Sequence, residues 1–162
     1  MGKSLLIIGA GGHGQVVVET AQMLGYEKID FIDDNKTNAI GRINEIDTLV
    51  PSYDGVIVSI GNNEKRQELI ERLESIKAFI VTLIHPNAYV SQSATIGGGS
   101  IILPGAIVHT NVTIGKGCII SICARIDHDA VVYNYSHINT SAVICAGTKV
   151  SGKVEAGQVI SN

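Results

Sequence analysis

Hydrophobic residues follow two different periods along the chain, and the change falls near residue 82. In residues 1–82, short apolar runs alternate with segments whose apolar residues recur at helical spacing. This alternation predicts a parallel sheet covered by helices, a small Rossmann-like α/β domain. The predicted strands are 4–8, 29–32, 55–60 and 78–83, and the predicted helices are 15–24 and 64–75.

A period of six governs residues 83–162. Every sixth residue is a β-branched aliphatic, and a smaller side chain generally follows it four positions later. The aliphatic series is Ile84, Val90, Ile96, Ile102, Val108, Ile114, Ile120, Ile126, Val132, Ile138, Ile144 and Val150. Such hexads are typical of a β-helix, in which three hexads make one triangular coil. We expect about four coils with this series buried in three columns, and Ala156 in the next inward position.

Composition excludes several function classes. The chain has 162 residues, a net charge of −3, 4% aromatic residues and no tryptophan. It therefore lacks the basic stripe and the stacking platform that nucleic-acid binding needs. No apolar run is long enough to span a membrane, and the N-terminus predicts a strand and not a signal peptide. The three cysteines form no disulfide framework, so we expect a cytoplasmic protein, and no ligand cluster predicts a metal site.

A glycine-rich loop, Gly9 to Gly14, follows the first predicted strand and opens a helix. Its backbone N–H groups and the helix N-terminus suit a phosphate. Asp33 comes 19 residues after Gly14, at the end of the second strand, where an acid takes ribose hydroxyls in dinucleotide folds. A small NAD-binding protein is one alternative, although a sheet of half the usual size offers no second nucleotide site.

One histidine of the repeat is suited to general-base work. His128 lies two residues after the inward Ile126 and stands between Asp127 and Asp129. A carboxylate bonded to one ring nitrogen fixes the tautomer and raises the basicity of the other nitrogen. His137 follows half a coil later. The other histidines of this half of the chain, His85 and His109, are interpreted as a structural junction residue and a surface residue.

Spaced motifs in both halves resemble the NeuD/PglD-type sugar acetyltransferases, a branch of the hexapeptide-repeat superfamily. The motifs are the glycine loop 9–14, Phe31-Ile32-Asp33-Asp34, Ile60-Gly61-Asn62-Asn63, Ile126-Asp127-His128-Asp129 and Ser136-His137-Ile138. The resemblance implies a left-handed parallel β-helix, a homotrimer, and transfer of acetyl from acetyl-CoA to the amino group of a UDP-linked sugar. It also implies that His128 is the base, that Asp129 raises its basicity and that His137 contacts acetyl-CoA.

The same resemblance assigns the nucleotide-sugar to the N-terminal domain. The glycine loop would meet the nucleotide-sugar, two acids would hold its uridine end, and a later glycine would line the same pocket. In chain order these residues are Gly11, Gly12, His13, Asp33, Asp34 and Gly61. The family needs no metal.

The chain departs from the family pattern at two motif positions and in its β-helix, which in the family usually runs several hexads further. Ser121 stands where the family usually has Asn, and Val132-Tyr133 stands where it usually has Ile-Gly. Two further alternatives stay open beside the N-acetyltransferase. One is a sialic-acid-type sugar O-acetyltransferase, in which the same base would remove a hydroxyl proton. The other is a non-catalytic nucleotide-sugar-binding protein.

Overall fold

The computed structural model describes residues 2–161, and the chain divides after Val81 into two compact units. The first is an α/β unit with a parallel sheet, and the second is a stack of short parallel strands. The predicted fold class, an α/β half followed by a β-helix, is confirmed.

The first unit is built on a three-stranded parallel sheet in the order β2-β1-β3. The residues Leu5 to Ile8 are fully buried, as expected for a central strand with both faces covered. The strands are β1 (Lys3–Ile8), β2 (Tyr26–Ile32) and β3 (Gly55–Val58); the helices are α1 (Gly12–Met23), α2 (Ile46–Leu49) and α3 (Asn63–Ser75). Short 3₁₀ turns at Ile43–Glu45 and Val50–Ser52 flank α2. Since the strands are parallel, their carboxyl ends share one edge of the sheet.

The strand predicted at 78–83 is wrong as an addition to this sheet. Ile80 makes only an isolated bridge to Val56. Leu83 and Ile84 instead pair with Ile101 and Ile102, so they begin the second unit. Ile84 packs against the core of the β-helix, so its apolar character reflects that core and not the core of the sheet.

The second unit is a triangular β-helix of two-residue strands, and each of its three faces is a parallel sheet. The first face holds β4 (Leu83–Ile84), β7 (Ile101–Ile102), β10 (Ile119–Ile120), β13 (His137–Ile138) and β16 (Lys153–Val154). The second face holds β5 (Tyr89–Val90), β8 (Ile107–Val108), β11 (Arg125–Ile126), β14 (Val143–Ile144) and β17 (Val159–Ile160). The third face holds β6 (Thr95–Ile96), β9 (Thr113–Ile114), β12 (Val131–Val132) and β15 (Lys149–Val150).

The second residue of each strand points into the prism and forms the core. From Ile102 to Val150 the predicted series is at most 9% exposed, which confirms the predicted columns over these coils. Ile84, Val90 and Ile96, in the first coil, are only half-buried, and each of their strands pairs with one neighbouring coil. The first coil is thus the open end of this stack.

The prediction that Ala156 takes the next inward position is wrong. Val154 fills it and is 2% exposed, whereas Ala156 is exposed. The corner between β15 and β16 is two residues shorter than a full hexad, and Gly152 makes the tight turn with φ of +79°. The period of six then resumes at Ile160, six residues after Val154. Ile160 pairs with Ile144 of the preceding coil.

Candidate functional site

A pocket of about 470 Å³ in the first unit is lined by every residue that the resemblance assigns to nucleotide-sugar binding. It lies at the carboxyl edge of the sheet, where ligands of α/β folds bind. Its lining includes Gly11, Gly12, His13, Asp33, Asp34 and Gly61. The structure thus brings these six residues together, although 50 positions separate the first from the last.

The glycine loop shapes one wall of this pocket. Gly9 has φ of +106°, and a Cβ at Gly14 would collide with the Gly9 carbonyl oxygen, so both positions require glycine for the fold. A Cβ at Gly11 or Gly12 would meet no atom within 4 Å. These two glycines therefore border open space at the start of α1, where the helix dipole and N–H groups favour an anion.

Asp33 has a structural contact that the motif did not reveal. One carboxylate oxygen accepts the N–H of Ala10 at 2.8 Å, and the other accepts the N–H of Asn35 at 2.8 Å. Asp33 therefore ties the end of β2 to the glycine loop. Asp34 accepts the N–H of Ile43 at 3.0 Å, which holds the following segment against the same pocket.

Lys65 and Ser59 are among the pocket residues that the sequence reasoning missed. Lys65, in the first turn of α3, lines the pocket, and its ammonium lies 2.7 Å from Glu68. Ser59 is buried and donates its hydroxyl to the carbonyl of Gly9 at 2.7 Å. Ser59 had no signal beyond its place at the end of a strand, whereas Lys65 could have been found from the helix start that Asn62 marks.

In the second unit, His128 lies at the corner between β11 and β12, where the second and third faces meet. Its Nδ1 is 2.8 Å from a carboxylate oxygen of Asp129. The same carboxylate accepts the side-chain N–H of Asn111, one coil earlier, at 3.1 Å. Asp127 accepts the backbone N–H of His128 at 2.7 Å. One acid therefore orients the ring, and the other holds the backbone.

Asp129 adopts the left-handed conformation with φ of +59° at this corner. Asp and Asn are the side-chain-bearing residues that adopt it most readily. The corner thus accepts an acid at the position where its carboxylate reaches the neighbouring ring, so fold and chemistry favour the same residue type.

Electrostatics at this corner favour a protonated imidazole. The hydrogen bond to Asp129 raises the pKa of His128, and the negative charges of Asp127 and Asp129 raise it further. In return, the hydrogen bonds from His128 and Asn111 lower the pKa of Asp129. A neutral His128 that donates Nδ1–H to this carboxylate leaves the Nε2 lone pair available to accept a proton.

The pH profile of the reaction provides a test of this pair. If His128 is the base that the resemblance implies, it must be neutral to act, so kcat/KM for acetyl transfer should fall on the acid side as pH drops through the pKa of His128. Asp129→Asn removes the charge that raises this pKa, so the acid limb should move to lower pH while the plateau falls because the base is weaker. The Asp127 carboxylate bonds the backbone of His128 and not its ring, so Asp127→Asn should move the acid limb less. An acid limb in Asp129→Asn at the wild-type pH would contradict the pairing.

His137 lies on a different side of the prism from His128. It is half-buried on the first face, and its Nε2 is 3.0 Å from the hydroxyl of the buried Ser121. The corner that carries His128 joins the other two faces and is opposite the first face. Within one chain, the structure therefore does not bring these two histidines together.

The remaining histidines differ in their surroundings. His85 is buried, and its Nδ1 accepts the N–H of Asn87 at 3.0 Å, which is a structural contact. His109 is about half exposed; its Nδ1 lies 3.8 Å from Asp127, and its ring centre lies 6.4 Å from that of His128. His109 is thus a surface residue, but one beside the His128 corner.

Within residues 2–161, no group of three or more His, Cys, Asp or Glu side chains could hold a metal ion. In the same part of the chain, no helix combines the length and the apolar character needed to cross a membrane.

Comparisons with known proteins agree on one family. Residues 4–73 match the family model for the PglD N-terminal domain. Over 112 residues, or 62% of its length, the chain is 34% identical to the UDP-N-acetylbacillosamine N-acetyltransferase of Bacillus subtilis (strain 168). The chain spans about half of that relative, since the alignment covers 51% of it.

Solved structures extend the likeness over both units. The acetyltransferase domain of PglB from Neisseria gonorrhoeae FA1090 is 31% identical, with a TM-score of 0.89 over 98% of this chain and 91% of that one. The same domain has been solved in complex with acetyl coenzyme A, with a TM-score of 0.87. A mutant GDP-perosamine N-acetyl transferase from Caulobacter crescentus, in complex with CoA and GDP-perosamine, is 25% identical with a TM-score of 0.87 over 98% and 88% of the two chains. With its α/β unit, its left-handed β-helix and its motifs, the chain belongs to the PglD-type sugar acetyltransferases.

Proposed function

We propose that this chain transfers an acetyl group from acetyl-CoA to the amino group of a UDP-linked amino-sugar. The observation that carries the proposal is the His128–Asp129 pair, with 2.8 Å between ring nitrogen and carboxylate, exposed at a corner of the β-helix. The relative from Bacillus subtilis is named as an N-acetyltransferase of a UDP-linked sugar, and the PglB domain binds acetyl coenzyme A. Free thiols at all three cysteines fit the reducing cytoplasm, where we place the reaction.

The proposed chemistry needs one proton acceptor. The neutral sugar amine attacks the thioester carbonyl carbon, and Nε2 of His128 takes a proton from the attacking nitrogen. The C–S bond then breaks, the amide forms, and the proton passes from His128 to the leaving thiolate. Acetyl-CoA and the amine thus become the acetamido-sugar and CoA. Asp129 stabilises the imidazolium that exists between the two proton transfers.

The proposed nucleotide site is the pocket of the first unit. Gly11, Gly12 and His13 would meet the nucleotide-sugar, because open space and helix N–H groups adjoin them. Asp33 and Asp34 would hold the uridine end. Asp33 accepts two backbone N–H bonds and Asp34 accepts one, so each keeps further carboxylate lone pairs for a ligand.

We also propose a homotrimer in which His137 contacts acetyl-CoA beside the His128 of another copy. The positions of the two histidines on opposite sides of the prism support this arrangement, because one bound acetyl-CoA then needs two chains. Apolar residues that point outward from the second face, Tyr89, Ile107 and Val159, are 56%, 38% and 62% exposed in the single chain. A closed threefold ring would use such a surface.

Light scattering at micromolar concentration should therefore give a mass of about three 17.1 kDa chains. A stable monomer at that concentration would contradict the shared site.

The test of function is acetyl transfer to defined acceptors. Release of CoA thiol should depend on a UDP-4-amino-sugar, and mass spectrometry should find one added acetyl group that resists hydroxylamine, as an amide does. An ester product on sialic acid would instead support the O-acetyltransferase. If the protein binds UDP but releases no CoA thiol from acetyl-CoA with any acceptor, the result would support the non-catalytic binding protein.

A further inference from the structure

The loop after β3 directs its backbone carbonyls toward Arg66. This arginine, in the first turns of α3, is fully buried. One guanidinium nitrogen donates to the carbonyls of Ile60 at 2.9 Å and Gly61 at 3.3 Å, and the other donates to the side-chain oxygen of Asn63 at 2.8 Å. Arg66 therefore fixes the orientation of two successive peptide groups.

The opposite edges of those peptide groups face the pocket. In a trans peptide the C=O and the following N–H point in opposite directions. With the Ile60 and Gly61 carbonyls turned toward Arg66, the N–H groups of Gly61 and Asn62 point away from it. Ile60 and Gly61 line the nucleotide pocket and Arg66 does not, so the pocket lies on the side to which these N–H groups point. Among residues 2–161 neither N–H has an acceptor.

Two walls of the pocket thus present hydrogen-bond donors toward one space. The glycine loop and the start of α1 form one wall, and Ile60 and Gly61 form the other, with Lys65 nearby. Asn62 follows Gly61 directly, and its N–H belongs to the peptide group that begins at Gly61. We propose that the Gly61 and Asn62 N–H groups bind the diphosphate of the nucleotide-sugar, and that Arg66 is the positioning residue that presents them. This inference rests on the proposed nucleotide site and explains why an arginine is buried behind its wall.

A proline at position 62 isolates the N–H group. Asn62 has φ of −69°, which proline adopts without strain, and proline has no N–H. Asn62→Pro and Asn62→Ala both lose the side-chain bond to the N–H of Lys65, so Asn62→Ala is the matched reference. The Kd for UDP should be roughly ten- to a hundredfold higher in Asn62→Pro than in Asn62→Ala. The Kd for uridine, which has no phosphate, should be the same in both.

Arg66→Lys tests the positioning role, because lysine keeps the charge and loses the planar fork. It should raise the Kd for UDP about tenfold and change the Kd for uridine less than about twofold. Arg72→Lys, on the same helix but bonded to Asp47, Ile43 and Asn44, is the control that should keep the Kd for UDP.

Calorimetry and NMR titration with UDP and uridine distinguish the outcomes. Equal Kd values for UDP in Asn62→Pro and Asn62→Ala would overturn the inference, even if Arg66→Lys fails to fold. If Arg66→Lys raised the Kd for UDP and the Kd for uridine by the same factor, Arg66 would stabilise the whole pocket and would not position the two N–H groups. That result would also overturn the inference. If the wild-type chain does not bind UDP, the proposed nucleotide site itself is wrong, and the inference falls with it.

Discussion

Replacing His128 with alanine should lower kcat for acetyl transfer by roughly 10²–10⁴-fold, the usual contribution of a general base. The side chain is exposed, and its ring meets the Asp129 carboxylate, so the substitution leaves no cavity and no buried partner. The loss should therefore be chemical and not structural. The Kd for the nucleotide-sugar should change little, because the proposed nucleotide pocket consists of residues from the first unit.

His109→Ala is the matched control for that variant. His109 occupies the same corner region and has similar exposure, but its nearest carboxylate oxygen is 3.8 Å away, beyond hydrogen-bond distance. Its kcat should stay within about threefold of wild type, since a surface substitution without a bonded partner has small effects. Both variants should be compared at saturating acetyl-CoA and UDP-amino-sugar. Near wild-type kcat in His128→Ala would remove the base from the mechanism.

A third variant separates the roles of the two histidines. If His137 contacts acetyl-CoA, His137→Ala should act chiefly on the KM for acetyl-CoA. The loss in His128→Ala should appear in kcat. Such a split distinguishes a binding contact from a group that moves a proton.

The β-helix could be predicted because its inward residues repeat with a strict period. Large side chains can enter the prism only once per hexad, so the sequence records the fold directly from Ile102 to Val150. The period carries no information about the length of a corner. The shortened corner at Gly152, which puts Val154 inward, therefore appeared only in the structure.

The site divides in the same way between local and distant contacts. His128 and Asp129 are adjacent in sequence, and their pairing followed from the motif. The hydrogen bond from the N–H of Ala10 to the Asp33 carboxylate joins residues 23 positions apart. The sequence shows only that Asp33 is an acid at the end of a strand, so this contact could not be predicted from it. Arg66 is a stronger case: arginine is almost never fully buried unless paired, so neither composition nor helical spacing predicts a guanidinium inside the α/β unit.

The separation of His128 and His137 follows from the repeat itself. Nine residues are half of an eighteen-residue coil, so residues at this spacing lie on opposite sides of the prism. The resemblance assigns both residues to one reaction, and the proposed homotrimer accounts for their separation by pairing them across two chains. A measurement of the oligomeric state is therefore the most direct test of a mechanism that uses both histidines.

Replacing Ile114 with aspartate should destabilise the β-helix more than any surface change. Ile114 is 2% exposed in the third inward column, between the Ile96 and Val132 strands. The variant loses the buried aliphatic contacts and places a carboxylate where no polar partner is available. The free energy of unfolding should fall by at least about 4 kcal/mol. Because each coil is stabilised by its neighbours, the loss should spread along the stack as cooperative unfolding or insolubility.

Thr113→Asp is the control for this substitution, since Thr113 precedes Ile114 on the same strand and is exposed. Its free energy of unfolding should stay within about 0.5 kcal/mol of wild type. Urea denaturation followed by circular dichroism measures both variants. Burial would raise the pKa of the new carboxyl in Ile114→Asp above its unfolded value. The folded state then binds the extra proton more tightly, so the deficit of Ile114→Asp relative to Thr113→Asp should shrink as pH falls below that raised pKa. Equal stability of the two variants at neutral pH would show that Ile114 does not face the core.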